Sequence, residues 1–277
     1  MNVIKLQKSI VYGPVNSRRL GRSLGINLMP TTFKMCSLNC CYCQYGWTRI
    51  QTNSGIGRRE QLPTLADLTV ALRQSLEVHK DLDYITFSGN GEPTLHPDFP
   101  EIVDVILKIR DQVLPDVKLA LLSNSSTCRV PEIRKAVEKI DLPIMKLDAG
   151  NELAFKRMNH GIPVVTLRSI VEGLKSLKKF AIQSMFVCGK IDNSTDLEVR
   201  SWIERLRELK PLRVQIYSLD RGTASQGLER VELSRLREIA QLANELTGLS
   251  VEAYNNNVNP KNLAANSQNE VSSGRVI

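Results

Sequence analysis

From residue 24 onward, short runs of apolar and β-branched residues alternate with longer stretches whose apolar positions recur every three to four residues. The short runs predict strands over 24–29, 84–88, 118–122, 144–147, 181–187, 213–217 and 249–253. Between them, Leu65, Leu68, Leu72 and Leu76 step along one helix face after Pro63-Thr64, and Leu167, Ile170, Leu174 and Leu177 do the same. Thr195-Asp-Leu-Glu198 reads as a capping box heading a helix that turns Trp202, Leu206 and Leu209 to one side. Leu236, Ile239, Ala243 and Leu246 mark a last helix, ended by Gly248.

Strand–helix alternation implies an α/β fold with a parallel sheet and right-handed crossovers. The pattern fits an open barrel or a doubly wound sheet, and in both the site forms at the carboxyl ends of the strands. Three regions are expected: an N-terminal basic segment over 1–23, a core over 24–255, and a polar, aperiodic, mobile tail over 256–277. Residues 1–10 read as an added strand and 48–61 as a loop.

Charge divides the chain unevenly. Residues 1–59 hold nine basic residues and no acidic one: Lys5, Lys8, Arg18, Arg19, Arg22, Lys34, Arg49, Arg58 and Arg59. The remainder is nearly neutral, since the whole chain has 37 Lys or Arg against 29 Asp or Glu. Such a segment suits RNA or another anionic partner, or is a solvated basic surface. Arg18, Arg19 and Arg22 could hold an anion or cap strand termini. No apolar run reaches the length of a membrane span, and the N-terminus lacks the pattern of a signal peptide. No membrane partner and a cytoplasmic location are expected, where a reducing compartment suits free cysteines.

Three of the six cysteines carry the chemistry. Cys36, Cys40 and Cys43 are spaced Cys-x3-Cys-x2-Cys, which can hold three irons of a cubane and leaves the fourth iron without a ligand from the loop. An open metal position is where substrates bind. A zinc site is the alternative, but zinc commonly takes four Cys or His ligands in spaced pairs. The only histidines, His79, His96 and His160, offer no such spacing. Cys41, Cys128 and Cys188 read as packed thiols.

The run over 12–47, with Tyr42 before the third cysteine, resembles the radical SAM superfamily. Ser88-Gly-Asn-Gly-Glu-Pro-Thr94 resembles its Gly-Gly-Glu-Pro motif, with Asn90 a departure at one position. Within the superfamily the chain looks most like the group of wyosine-synthesising tRNA enzymes, in a short stand-alone form, over roughly residues 10–255. The resemblance implies a partial (β/α)6 barrel with mostly parallel strands. It also implies a [4Fe–4S] cluster on Cys36, Cys40 and Cys43, with S-adenosylmethionine (SAM) on the open iron. Gly89, Asn90, Gly91 and Glu92 would then face the SAM ammonium, Asn124 the methionine and ribose, and Gln215 and Tyr217 the adenine.

Lys146 and Asp148 share a strand face, where charges must be paired or used. They are either a structural ion pair or a grip on the SAM carboxylate and ribose. Cys188 is a candidate hydrogen-atom donor. An electron donor such as flavodoxin or ferredoxin is expected. Wyosine enzymes of archaea and eukaryotes hold a second cluster on cysteines upstream of the loop, and residues 1–35 contain none, so one cluster is expected. The substrate is a tRNA base, or alternatively a small molecule or peptide. A non-enzymatic iron–sulfur or zinc protein that binds nucleic acid is the remaining alternative.

Overall fold

The computed structural model describes residues 3–254. The tail expected over 256–277 lies outside them. In chain order the strands and helices are β1 (Val11–Ser17), β2 (Gly21–Ile26), β3 (Met35–Cys36), β4 (Ile50–Gln51), α1 (Leu65–Val78), β5 (Tyr84–Phe87), α2 (Phe99–Val113), β6 (Lys118–Ser123), α3 (Pro131–Val137), β7 (Leu142–Lys146), α4 (Glu152–Asn159), α5 (Leu167–Lys175), β8 (Ala181–Met185), β9 (Val187–Gly189), α6 (Asp196–Leu209), β10 (Val214–Tyr217), β11 (Leu228–Arg230), α7 (Leu233–Thr247) and β12 (Val251–Tyr254).

The main sheet runs β1-β2-β5-β6-β7-β8-β10-β12. Only the β1–β2 pair is antiparallel. From β2 on, each strand lies beside the next in sequence, with no reversal of order. That excludes a doubly wound sheet, whose order reverses at a switch point. The result is an open α/β barrel of mostly parallel strands.

Period-two alternation divides the strand residues between two cores. Leu24, Ile26, Ile85, Phe87, Leu119, Leu121, Met145, Ile182, Val214 and Ile216 belong to the large core shared with the helices. Ala120, Ile144 and Ala181 face the lumen and form a separate cluster with Leu20. Leu20 lies in the β1–β2 turn, so this turn plugs the lumen from the amino end of the strands.

Helix ends follow local chemistry. Thr64, Asn151 and Thr195 cap α1, α4 and α6 by accepting from the third helical amide. The reciprocal box expected at Thr195 is only half formed, because Glu198 Oε2 accepts instead from Asn151 Nδ2 at 2.7 Å. The complete box is at Thr166 and Ser169, heading α5. Gly248 ends α7 at φ 70°, as expected, but Leu246 is exposed and Ala240 takes its place on the buried face.

The N-terminal reading needs correction. Residues 3–10 form no strand. Val11–Ser17 is the added strand, and the boundary expected at residue 23 falls inside β2. Residues 48–61, read as a loop, include β4 and a 3-10 turn over Ile56–Gln61. No helix among the described residues is long and apolar enough to cross a membrane.

Candidate active site

The cysteine loop leaves β2 through Met29-Pro30 and enters β3, where Met35 lies against the glycine run that follows β5. Met35 N donates to Asn90 O at 3.1 Å and Glu92 N to Met35 O at 3.2 Å. A Cβ on Gly91 would lie 1.7 Å from Met35 O, and its φ is +153°, so glycine is the residue this approach allows. The Gly-x-Gly run therefore fixes the cysteine loop through its backbone.

Two of the residues expected to meet SAM make several hydrogen bonds within the protein. Asn90 is fully buried, and its Nδ2 donates to Gln7 O and Pro30 O, both at 2.9 Å. Its Oδ1 accepts from Gln7 N at 2.8 Å. Asn90, the departure from the Gly-Gly-Glu-Pro pattern, thus ties the N-terminal arm to the glycine run. Glu92, 1% exposed, accepts from Thr94 N, Thr94 Oγ1, Ser123 Oγ and Asn124 N. Burial pushes its pKa up against those opposing hydrogen bonds. It holds the exits of β5 and β6 together and positions Asn124.

Asn124 reaches the cysteines. Its Nδ2 lies 3.3 Å from Cys36 Sγ and 2.9 Å from Ser37 Oγ. Asn159, at the end of α4, does the same for Cys40 at 3.4 Å. Lys34 completes the surroundings: it is 4% exposed, and its Nζ donates to Gly46 O at 2.8 Å. Burial lowers its pKa, but the charges of Cys43 and Cys36 outweigh that and raise it overall. Burial pushes the Cys36 thiol up to about 12 and Cys40 to about 11. Cys41 is fully buried and packs with Tyr42, Met158, Met185, Val187 and Leu219, as its reading as a packed thiol requires. Cys128 is also buried.

At the β7 exit the Lys146–Asp148 pair forms, with Nζ to Oδ1 2.8 Å. Asp148 makes further contacts within the protein. It is 4% exposed and also accepts from Tyr42 OH, Asn159 Nδ2 and Met185 N. Lys146 is more open, and its Nζ donates to Tyr217 OH at 3.2 Å. Burial favours its neutral amine, but Asp148 and Tyr217 outweigh that and keep it charged.

Tyr217 OH donates to Gln183 Oε1 at 3.2 Å, and Gln183 Nε2 approaches Gln215 Oε1 at 3.4 Å. Gln215 is fully buried, with its Nε2 lacking an acceptor. From the plugging turn, Arg19 lays its guanidinium over the Tyr217 ring, 4.3 Å from the centroid. Arg18 beside it pairs with Asp220 at 2.8 Å. Cys188 is not joined to this group: it lies on the β9–β11 ribbon, where its Sγ approaches Arg230 O at 3.4 Å.

The donor set fits a cubane cluster better than one metal ion. No three His, Cys, Asp or Glu side chains among the described residues converge as a single ion requires. A cubane instead gives each thiol its own iron. Amide donors beside Cys36 and Cys40, and a buried cation facing all three, suit an anionic cluster. The unsatisfied Gln215 Nε2, in a lumen lined by hydrogen-bonding groups, fits a ligand such as SAM.

Sequence reasoning missed Lys34 and Asn159. Lys34 carried a signal, a lone charge in the apolar run Phe33-Lys-Met-Cys36. Asn159 carried none, since only folding brings α4 against the loop.

Comparison with known proteins agrees with this geometry. A UPF0026 protein of Methanocaldococcus jannaschii is 30% identical over 87% of this chain and 73% of its own length. A protein named GTPase Obg from Brachyspira hyodysenteriae is 32% identical over 80% of this chain, which spans only 32% of that protein. Among solved structures, SuiB of Streptococcus suis bound to S-adenosylmethionine matches with TM-score 0.60 at 15% identity, over 83% of this chain and 50% of that one. TYW1 with a lysine–pyruvate adduct bound matches with TM-score 0.57 at 14% identity, over 81% of this chain and 73% of that one. The superfamily uses a [4Fe–4S] cluster and SAM, and its members are enzymes, which sets aside the non-enzymatic alternative. The family model named Radical SAM superfamily matches residues 31–206, and the chain belongs to that superfamily.

Proposed function

We propose that this enzyme abstracts hydrogen from a substrate carrying an acidic group, and that Arg19 receives that group. The carrying observation is the Arg19 guanidinium, brought into the lumen by the turn that buries Leu20 and stacked on Tyr217. No acidic side chain among the described residues pairs with it, whereas Arg18 and Arg59 pair with Asp220 and Asp98. A guanidinium presents a planar fork that matches a carboxylate or phosphate.

Cys36, Cys40 and Cys43 would hold one [4Fe–4S] cluster, with Lys146, Gln183, Gln215 and Tyr217 lining the space for SAM. When bound, cluster and SAM supply reductive cleavage of the sulfonium C–S bond to methionine and a 5′-deoxyadenosyl radical. The protein's residues orient the reactants: Asp148 fixes Tyr42 and Lys146, Glu92 fixes Asn124, and the closed floor keeps water out from below. The electron donor would be of the flavodoxin or ferredoxin class.

Deuterated acidic small molecules, acidic peptides and tRNA, offered to the reduced, reconstituted enzyme, test this by deuterium transfer into 5′-deoxyadenosine. Arg19→Gln should lower transfer from the accepted substrate tenfold or more, and Arg19→Lys less. Equal transfer by Arg19→Gln and the parent would overturn the role of Arg19.

A wyosine-type tRNA base is the second reading. It is supported by the likeness to TYW1 and by the exposed Lys5, Lys8, Arg22, Arg49 and Arg58. tRNA binding that falls steeply with salt would favour it. An imine on Lys146, by analogy with that protein's lysine–pyruvate adduct, is disfavoured, because Asp148 holds the ammonium charged.

A further inference from the structure

Lys34 is the least expected side chain near the cysteines. A lysine almost never reaches 4% exposure without a counter-charge, because removing an ammonium from water is costly unless it is paired. Its Nζ donates to a neutral carbonyl, Gly46 O, at 2.8 Å. Lys34 belongs to the cysteine loop itself, two residues before Cys36, and no carboxylate among the described residues forms a salt bridge with it. The chain is also braced to keep this geometry. Gly46 N donates to Cys43 O at 3.0 Å, so the carbonyl that anchors Nζ belongs to the turn that carries the third cysteine. Ile50 N donates to Lys34 O at 3.2 Å, holding the backbone of Lys34 against the β4 side of the loop.

We propose that Lys34 is the fixed counter-charge of the cluster and raises its reduction potential. The inference rests on the cluster reading above and adds a function for a residue outside its ligands. Three thiolates on an oxidised cubane leave one net negative charge, and reduction by one electron leaves two. A cation held at constant distance therefore stabilises the reduced form more than the oxidised one. The electron comes from the external low-potential donor. Lys34 takes no part in the electron transfer itself, and no bond in the protein forms or breaks. Its role is positioning and electrostatic, not catalytic. It makes reduction by the donor easier and leaves less driving force for cleaving the sulfonium.

The test is a potentiometric titration of anaerobically reconstituted full-length protein, followed by electron paramagnetic resonance, for the parent, Lys34→Met and Lys34→Arg. Lys34→Met should shift the midpoint negative by at least the equivalent of a tenfold change in the reduction equilibrium, about 59 mV for one electron. Lys34→Arg should stay closer to the parent than that. Equal midpoints for Lys34→Met and the parent would overturn the proposal. If neutral variants fail to retain iron, Lys34→Arg decides: iron retained with arginine alone supports the counter-charge. Iron lost with arginine as well shows that the fit to Gly46 matters and the charge does not. A parent protein that assembles no cluster would refute the underlying reading instead, which separates the two failures.

Discussion

Tyr42 OH donates to Oδ2 of Asp148, joining the middle of the cysteine loop to the exit of β7 across 106 residues of sequence. The same carboxylate holds Lys146, Asn159 and the amide of Met185. Asp148→Ala takes this acceptor from a buried ammonium and three buried donors, and should cost about 3 kcal/mol or more. Tyr42→Phe removes the bond to Asp148 and the one the hydroxyl accepts from Asn159 Nδ2 at 3.2 Å, and should cost about 1–2 kcal/mol. Urea unfolding of the metal-free protein would measure both. A smaller loss for Asp148→Ala than for Tyr42→Phe would contradict the arrangement described here.

Gly91→Ala should destabilise the protein by about 3 kcal/mol and abolish iron retention, because the obstacle is the Met35 backbone, which cannot swing away. Gly57 has nothing within 4 Å of its would-be Cβ, so Gly57→Ala should be neutral within about 0.5 kcal/mol. Unfolding midpoints and iron content of the two variants check the contrast.

The cysteine assignments predict that replacing Cys36, Cys40 or Cys43 by Ala abolishes iron retention. Cys41→Ala and Cys128→Ala should keep it, at about four irons per chain. Iron and sulfide analysis decides, and near eight irons in two distinct clusters would refute the single-cluster expectation.

His96 gives the fold a pH response. It is 2% exposed, Asp98 N donates to its Nδ1 at 3.1 Å, and its Nε2 lies 2.9 Å from Pro63 O. That pattern is a neutral ring, and burial holds its pKa below the ordinary histidine value. In the unfolded chain the ring takes a proton near pH 6.5, in the folded one only at lower pH. Between the two, the unfolded state binds more protons, so stability falls as pH drops below about 6.5. The loss between about pH 7.5 and about pH 5.5 should be smaller for His96→Gln. An unchanged loss would show that other groups carry the acid sensitivity.

The repeating architecture was legible in the sequence because each strand alternates and each helix has one apolar face. All seven expected strands overlap the parallel strands of the sheet, with edges shifted by a few residues. The cysteine loop was legible as a candidate cluster site because its three thiols are local. What escaped depends on contacts far apart in sequence. Asp148 and Asn90 are chemically suited to a ligand, and only folding shows that Tyr42, Asn159, Gln7 and Pro30 hydrogen-bond to them. Arg19 was visible as a charge, but its place over Tyr217 required knowing that the β1–β2 turn folds inward.

That inward turn makes the barrel a vessel with a stopper. Leu20 among Ala120, Ile144 and Ala181 closes the amino end, so traffic in and out uses the cysteine-bearing end or the unclosed side between the outermost strands. Passage straight through from the amino end is closed. Trimming Leu20→Ala would loosen the stopper from the amino end, without touching Cys36, Cys40 or Cys43.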